Sequence, residues 1–186
     1  MKKIMKKTMV AMMMFIISSC ASAQNVKEPE YNGQVAILQA DSSLVVLQKE
    51  VAQMKTKTTG FGYIPIPGSS LLDKGKSFLQ VKGNASPNKV TQGKVTLVIR
   101  VKDNNEDPKN AIGVFQFEAK KKERRYQLAE VGVLSGMKAT TSFNTVDYEV
   151  KKWGTSSYLI AIKHLQPGEY GVTAADLGNI TTLSVK

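Results

Sequence analysis

A period of two constrains this chain more than any other feature. Val95, Leu97, Ile99 and Val101 alternate with Thr96, Val98 and Arg100. In an extended strand that spacing gathers one set of side chains on a single face, whereas a helix would scatter them around its axis. Val146, Tyr148 and Val150 alternate in the same way with Asp147, Glu149 and Lys151, and residues 158–162 (YLIAI) are apolar on both faces, as a strand inside a sheet would be. Further strands are expected over 34–40, 44–56, 78–81, 112–117, 126–133, 170–173 and 180–185. Turn clusters separate them at Ala40-Asp41-Ser42, Lys82-Gly83-Asn84, residues 103–108 and Pro167-Gly168.

One segment competes with this pattern. Residues 118–129 (EAKKKERRYQLA) have high helix propensity. Helical spacing from Phe117 reaches Lys121, Arg124 and Leu128, which makes no apolar stripe. Strand alternation through Phe115, Phe117, Tyr126 and Leu128 instead predicts a hairpin with a basic tip near Lys120 to Glu123. About ten short strands with turns every 8 to 14 residues predict an all-β fold, an antiparallel β-sandwich of immunoglobulin-like type. It would span residues 31–186. A small N-terminal β unit over 31–84 is the alternative organisation, with its seam in the Gly/Pro-rich stretch within 60–88.

Ahead of the expected domain stands MKKIMKKTMVAMMMFIISSCASAQ, which reads as an export signal. Lys2, Lys3, Lys6 and Lys7 form its basic start, Met9 to Ile17 its apolar core, and Ala21-Ser22-Ala23 a cleavage site. The apolar run is far shorter than the roughly 20 residues of a membrane span. Cleavage after Ala23 is the favoured expectation, followed by a polar linker over 24–30. Ile17-Ser18-Ser19-Cys20 offers the alternative of lipidation at Cys20, the one route by which the chain would be held at a membrane. The expected location is the periplasm, the outer membrane or the exterior.

Removing the signal alters the composition. The full chain carries 26 basic and 15 acidic residues; without the four signal lysines, 22 basic residues remain, a formal +7. Only Met54 and Met137 survive of eight methionines, and the single cysteine, Cys20, is lost with a cut after Ala23. A domain without disulfides must be held by its apolar core, and about 163 residues suffice for one. The positive balance favours anionic partners without specifying a fold.

Five segments recur together in order: residues 103–108 (DNNEDP), Ile112, Arg124-Arg125, residues 153–158 (WGTSSY) and residues 165–170 (LQPGEY). In this they resemble a group of exported β-rich proteins of Bacteroides-type bacteria that end in an L-x-P-G-E-Y turn and a final strand. The resemblance covers roughly the last hundred residues and the style of the signal. It implies a β-rich envelope or secreted protein and carries over no catalytic residue.

Few residues suggest chemistry. His164 is the only histidine, so with no mature cysteine the usual His/Cys zinc sets cannot be assembled. No Gly-x-Ser-x-Gly elbow exists; Pro67-Gly68-Ser69-Ser70-Leu71 lacks the second glycine. Residues 103–108 offer oxygen ligands at alternate positions, but Pro108 stands where a calcium loop wants glycine and Val114 where it wants glutamate. An Asx/Pro turn accounts for the same residues. Neither an enzyme nor a cofactor is expected, and nucleic acid is excluded as a partner by compartment and by the lack of interleaved aromatics. What remains is binding, to an envelope protein or to a cell-surface glycan or lipopolysaccharide. Candidate contacts are the basic residues Lys121, Arg124 and Arg125, the aromatics Trp153 and Tyr158 as a sugar-stacking surface, and Phe61 and Tyr63 in an apolar connection. Finally, Pro167 and Gly168 predict a type II turn that returns strand 170–173 beside strand 158–162.

Overall fold

Most of the expected strands become paired strands, but the one expected over 44–56 divides into two that join different sheets, and the one expected over 146–151 begins only at Glu149. The computed structural model describes residues 26–59, 74–132, 138–140, 145–174 and 177–186. The export signal, Cys20, Phe61, Tyr63 and residues 60–73 of the expected seam lie outside these residues.

One sheet has five strands in the order β10-β11-β6-β1-β2: β1 (Val35–Leu38), β2 (Leu44–Val46), β6 (Gly93–Arg100), β10 (Glu149–Trp153) and β11 (Ser157–Leu165). Every pairing in it is antiparallel. The expected central strand over 158–162 is flanked on both sides, by β10 and β6.

The second sheet contains β3 (Lys49–Thr59), β4 (Lys74–Lys82), β7 (Ile112–Ala119), β8 (Glu123–Gly132), β12 (Gly168–Ala174) and β13 (Asn179–Val185). Its order β12-β7-β8-β4-β3-β13 returns to β12 through a further antiparallel pairing, so six strands close into a barrel. Closure removes the exposed edges that an open sheet must protect. Two short strands sit outside the ring: β5 (Lys89–Val90), parallel to β13, and β9 (Lys138–Thr140), beside β8. The one described helix is a single turn, α1 (Pro108–Ala111), with Asp107 as N-cap and Pro108 in the first turn. Its approach is an Asx turn in which the Asn105 amide donates to Asp103 Oδ1 at 2.9 Å.

Alternation splits the interior in two. Val35, Leu97, Ile99, Tyr158, Ile160 and Ile162 of the five-stranded sheet share one core with Ile112, Val114, Tyr170, Val172, Leu183 and Val185 on the outside of the barrel wall. The intervening residues of those wall strands point the other way. Phe115, Phe117 and Ile180 meet Ala52, Leu79, Val81 and Tyr126 inside the barrel. Strand β7 thus serves both cores, as its apolar residues on both faces require. Near β10, Val146, Tyr148 and Val150 pack against the first core while Asp147, Glu149 and Lys151 stay exposed.

Two expectations change. The small N-terminal unit allowed for over 31–84 is not set apart, because β3 and β4 are staves of the same barrel as β13 and β8. The chain does change direction at Pro167-Gly168, but as a bend rather than the expected type II turn, with Gly168 already the first residue of β12, and the expected hairpin does not form. Strand β12 leaves β11 and pairs with β7 and β13, so residues 165–168 carry the chain from one sheet to the other. The Tyr170 hydroxyl closes that corner by donating to the Gln166 carbonyl at 2.9 Å. Burial of both β11 and β12 favours the crossing, since the two strands face each other across one apolar layer. Gly168 holds φ +156°, and a Cβ there would meet Gln116 Nε2 at 2.7 Å. Gly168→Val should therefore destabilise the domain by about 1–3 kcal/mol, read as a lowered thermal midpoint; His164→Ala, at an exposed strand position, should leave the midpoint unchanged.

Candidate functional site

The hairpin β7–β8 turns at residues 120–122, where the sequence places its basic tip, and the Lys120 amide donates to the Glu123 carbonyl at 2.8 Å. Lys120, Lys121 and Lys122 are exposed. Arg124 is not part of that surface: its side chain is 0% exposed. Strand parity is the reason, because Arg124 points inward with Tyr126. Arg125 points outward, pairs with Glu123 and lies with its guanidinium 5.9 Å from the centre of the Phe78 ring. Of the three basic candidates, Lys121 alone is an open charge.

Arg124 organises one end of the barrel. Its Nη2 donates to both Glu50 carboxylate oxygens, at 2.8 and 2.9 Å, and to the Lys82 carbonyl at 3.1 Å. Its Nε reaches the Gly83 carbonyl at 3.2 Å, and Nη1 lies 3.6 Å from Glu169 Oε2. The same Glu169 oxygen accepts from the Ser86 amide at 2.7 Å. Thr182 donates to Glu50, and its hydroxyl is 2.7 Å from that of Ser86. Asn88 ties the loop down by donating to the Gln48 and Thr182 carbonyls. Residues 83–88 thus cap the barrel over a buried cation held between two carboxylates. The Phe117 ring lies beneath the guanidinium, its centre 5.9 Å away. Glu50 also borders an open surface cavity with Val51, Gln53, Gln80, Val81 and Lys82.

The two aromatic candidates do not make a stacking face. Tyr158 is buried, 2% exposed, and its hydroxyl donates to the Glu106 carbonyl, fixing the 103–108 loop. Trp153 is half-buried, and its indole N–H donates to the Lys27 carbonyl at 3.0 Å. Residues 26–30, expected as part of a linker, are docked at the β10–β11 turn. The Glu28 carboxylate accepts from the Thr155 amide (2.7 Å) and hydroxyl (3.0 Å), the Ser156 amide (3.0 Å) and the Ser157 hydroxyl (2.6 Å). Pro29 is buried, and its carbonyl accepts from Arg100 Nη1 at 2.9 Å.

Partial burial pushes the Glu28 carboxyl up, but the four hydrogen bonds together outweigh it. They hold the group at about 2, below its ordinary 4.5. A depressed folded-state value stabilises the fold above the unfolded value, and that stabilisation is lost as pH falls through the folded value. Melts of the wild type and Glu28→Gln should therefore differ at neutral pH and converge between about pH 5 and pH 2.

Glu28, Glu50 and Glu169 are structural anchors that motif and charge density do not reveal. Glu50 shares strand parity with Ala52, and Glu169 with Gly171 and Thr173, so alternation alone places both on the barrel's inner face. Nothing local announces Glu28, whose partners are 127 to 129 residues away. His164 is exposed on β11, and among the described residues no group of three or more His, Cys, Asp or Glu side chains is placed to hold a metal ion. Comparison with protein-family models, with curated proteins and with solved structures finds no match to this chain.

Proposed function

We propose that this is an exported, non-catalytic binding or structural protein of the cell envelope, acting through the surface of its β-sandwich and barrel. The observation that carries the reading is the Arg124–Glu50–Glu169 set. The strongest concentration of charge inside the described fold is spent on its own loop and strands, while the lysine tip over 120–122 is exposed.

An immunoglobulin-like sandwich belongs to the same proposal. In such domains the first, second, fifth and fourth strands make one sheet, and the third, sixth and seventh the other. Taking β1, β6, β7, β10, β11, β12 and β13 as the seven, the orders β1-β6-β11-β10 and β7-β12-β13 fit that scheme. The Tyr170–Gln166 bond supports it further, as the tyrosine corner of such folds. On this reading β2–β5 and β8–β9 are additions, of which β3, β4 and β8 close the second sheet. The additions carry exposed apolar residues, Val51 and, on the opposite face of β3, Met54, 68% and 70% exposed, and offer the binding surface.

Fractionation of cells expressing the full chain, with the mass of the mature N-terminus, tests export. Crosslinking from Met54 and Val51 positions in intact envelopes tests binding. A chain retained in the cytoplasm would overturn the first part, and absence of any saturable crosslink would overturn the second. The polyanion reading rests on Lys120, Lys121 and Lys122 and has its own outcome. Lipopolysaccharide binding that disappears when all three become alanine would favour it.

A further inference from the structure

The geometry points to a peptide-receiving site at the β10–β11 turn, filled in this chain by its own Lys27-Glu28-Pro29 and open to the same segment of a second copy. Six donors converge on three consecutive residues. Trp153 Nε1 takes the Lys27 carbonyl, four groups of Thr155, Ser156 and Ser157 take the Glu28 carboxylate, and Arg100 Nη1 takes the Pro29 carbonyl. The spacing reads a side-chain carboxylate flanked by two main-chain carbonyls, which selects an acidic peptide over a free anion or a sugar acid. The receiving turn is shaped for it. Gly154 has φ +60°, and a Cβ added there would fall on the Glu28 side chain.

Within one copy the segment is brought to the turn by β1, which pairs with β6 and through it with β11, so only the hinge ahead of β1 ties the occupant to its own chain. The segment leads into β1 through a tight turn in which the Gln34 amide donates to the Tyr31 carbonyl at 3.1 Å and Gly33 holds φ +76°. Opening that turn would let the segment reach a neighbour while every contact is remade. Exchange of an identical element in this way is a low-cost route to a dimer. In isolation the chain's own segment wins through its high effective concentration, so exchange is expected only where copies are crowded or one site is empty.

Complementary variants of the full chain test this. Glu28→Ala with Pro29→Ala removes the carboxylate and the buried ring, loosening the chain's own segment from the site, and leaves the turn intact; Gly154→Ala blocks the turn and frees the segment. Each should be monomeric alone. Mixed, they should form a one-to-one complex by size exclusion with light scattering, and adding Glu28→Gln to the Gly154 variant should abolish it. If Gly154→Ala does not fold, Ser157→Ala replaces it. As a second measurement, a peptide of residues 26–30 (VKEPE) should change the emission of Trp153, the only tryptophan, in the variant lacking Glu28 and Pro29. It should bind there at least about tenfold more tightly than to the wild type, and by the same margin more tightly than a peptide carrying Glu28→Gln, the effect of losing a charged hydrogen-bond acceptor. No emission change, or equal binding of the two peptides, overturns the site. Peptide binding without association of the two variants overturns the second copy as its occupant.

Discussion

Arg124→Met should cost about 3–5 kcal/mol of stability, the penalty for removing one partner of a buried charge set. The guanidinium is wholly buried, and its loss strands groups that have little else to turn to. Among the described residues Glu169 keeps its bond from the Ser86 amide, and the Lys82 and Gly83 carbonyls lose a donor. Glu50 is partly exposed, 21% at its side chain, so water recovers some of its share. The matched control changes all three charges at once, with Arg124→Met, Glu50→Gln and Glu169→Gln. Removing a whole buried set is far less damaging than breaking it, so the triple variant should melt above the single one. The check is a pair of urea titrations. If the single variant unfolds at the wild-type midpoint, the cation does not hold the 83–88 loop on the barrel.

Parity carries much of what is legible in this chain. Alternation locates β6, the strands around 146–151, and the hairpin whose tip falls at residues 120–122. It also contains Arg124's burial: two residues before Tyr126, it shares the inward face. Grouping Arg124 with the lysines weighs charge density over strand parity, and parity governs which side chain meets solvent. The continuous apolar run of β11 is likewise legible as a strand flanked on both sides. What alternation does not carry is the identity of a strand's neighbours. It offers no means to join β3 to β13, or to send β12 away from β11, because those choices depend on which faces are buried together. The docked residues 26–30 lie furthest beyond reach. Polar and proline-bearing, they look like a linker, and only a turn far along the chain makes Glu28 structural.

Gly171→Val should be more damaging than any other glycine replacement inside the described strands. Gly171 lies on β12 with its missing side chain aimed into the barrel. A Cβ there would come within 2.5 and 2.6 Å of Phe115 ring atoms and 3.0 Å of Phe117. Those rings are already committed: Phe115 packs edge to face on Phe117 at 5.2 Å and stacks on Tyr126 at 4.1 Å between centres. Burial pushes the Tyr126 hydroxyl up to about 12, so the phenol stays neutral and the stack stays apolar at any physiological pH. An added methyl must displace a ring already packed on Phe117 and Tyr126. Overpacking of this kind costs about 1–3 kcal/mol, so Gly171→Ala should sit in that range and Gly171→Val at or beyond its upper end. Strand propensity runs the other way, since valine is favoured over glycine in a strand. A stabilised Gly171→Val would therefore show that the rings yield and that the barrel interior is loosely filled. Shrinking the opposing ring tests the same contact from the other side. Phe115→Leu alone should destabilise, but combined with Gly171→Ala it should recover part of the loss, a coupling expected only of residues in direct contact. Strictly additive midpoints in that double-mutant cycle would place the strain of the glycine variants somewhere other than the Phe115 ring.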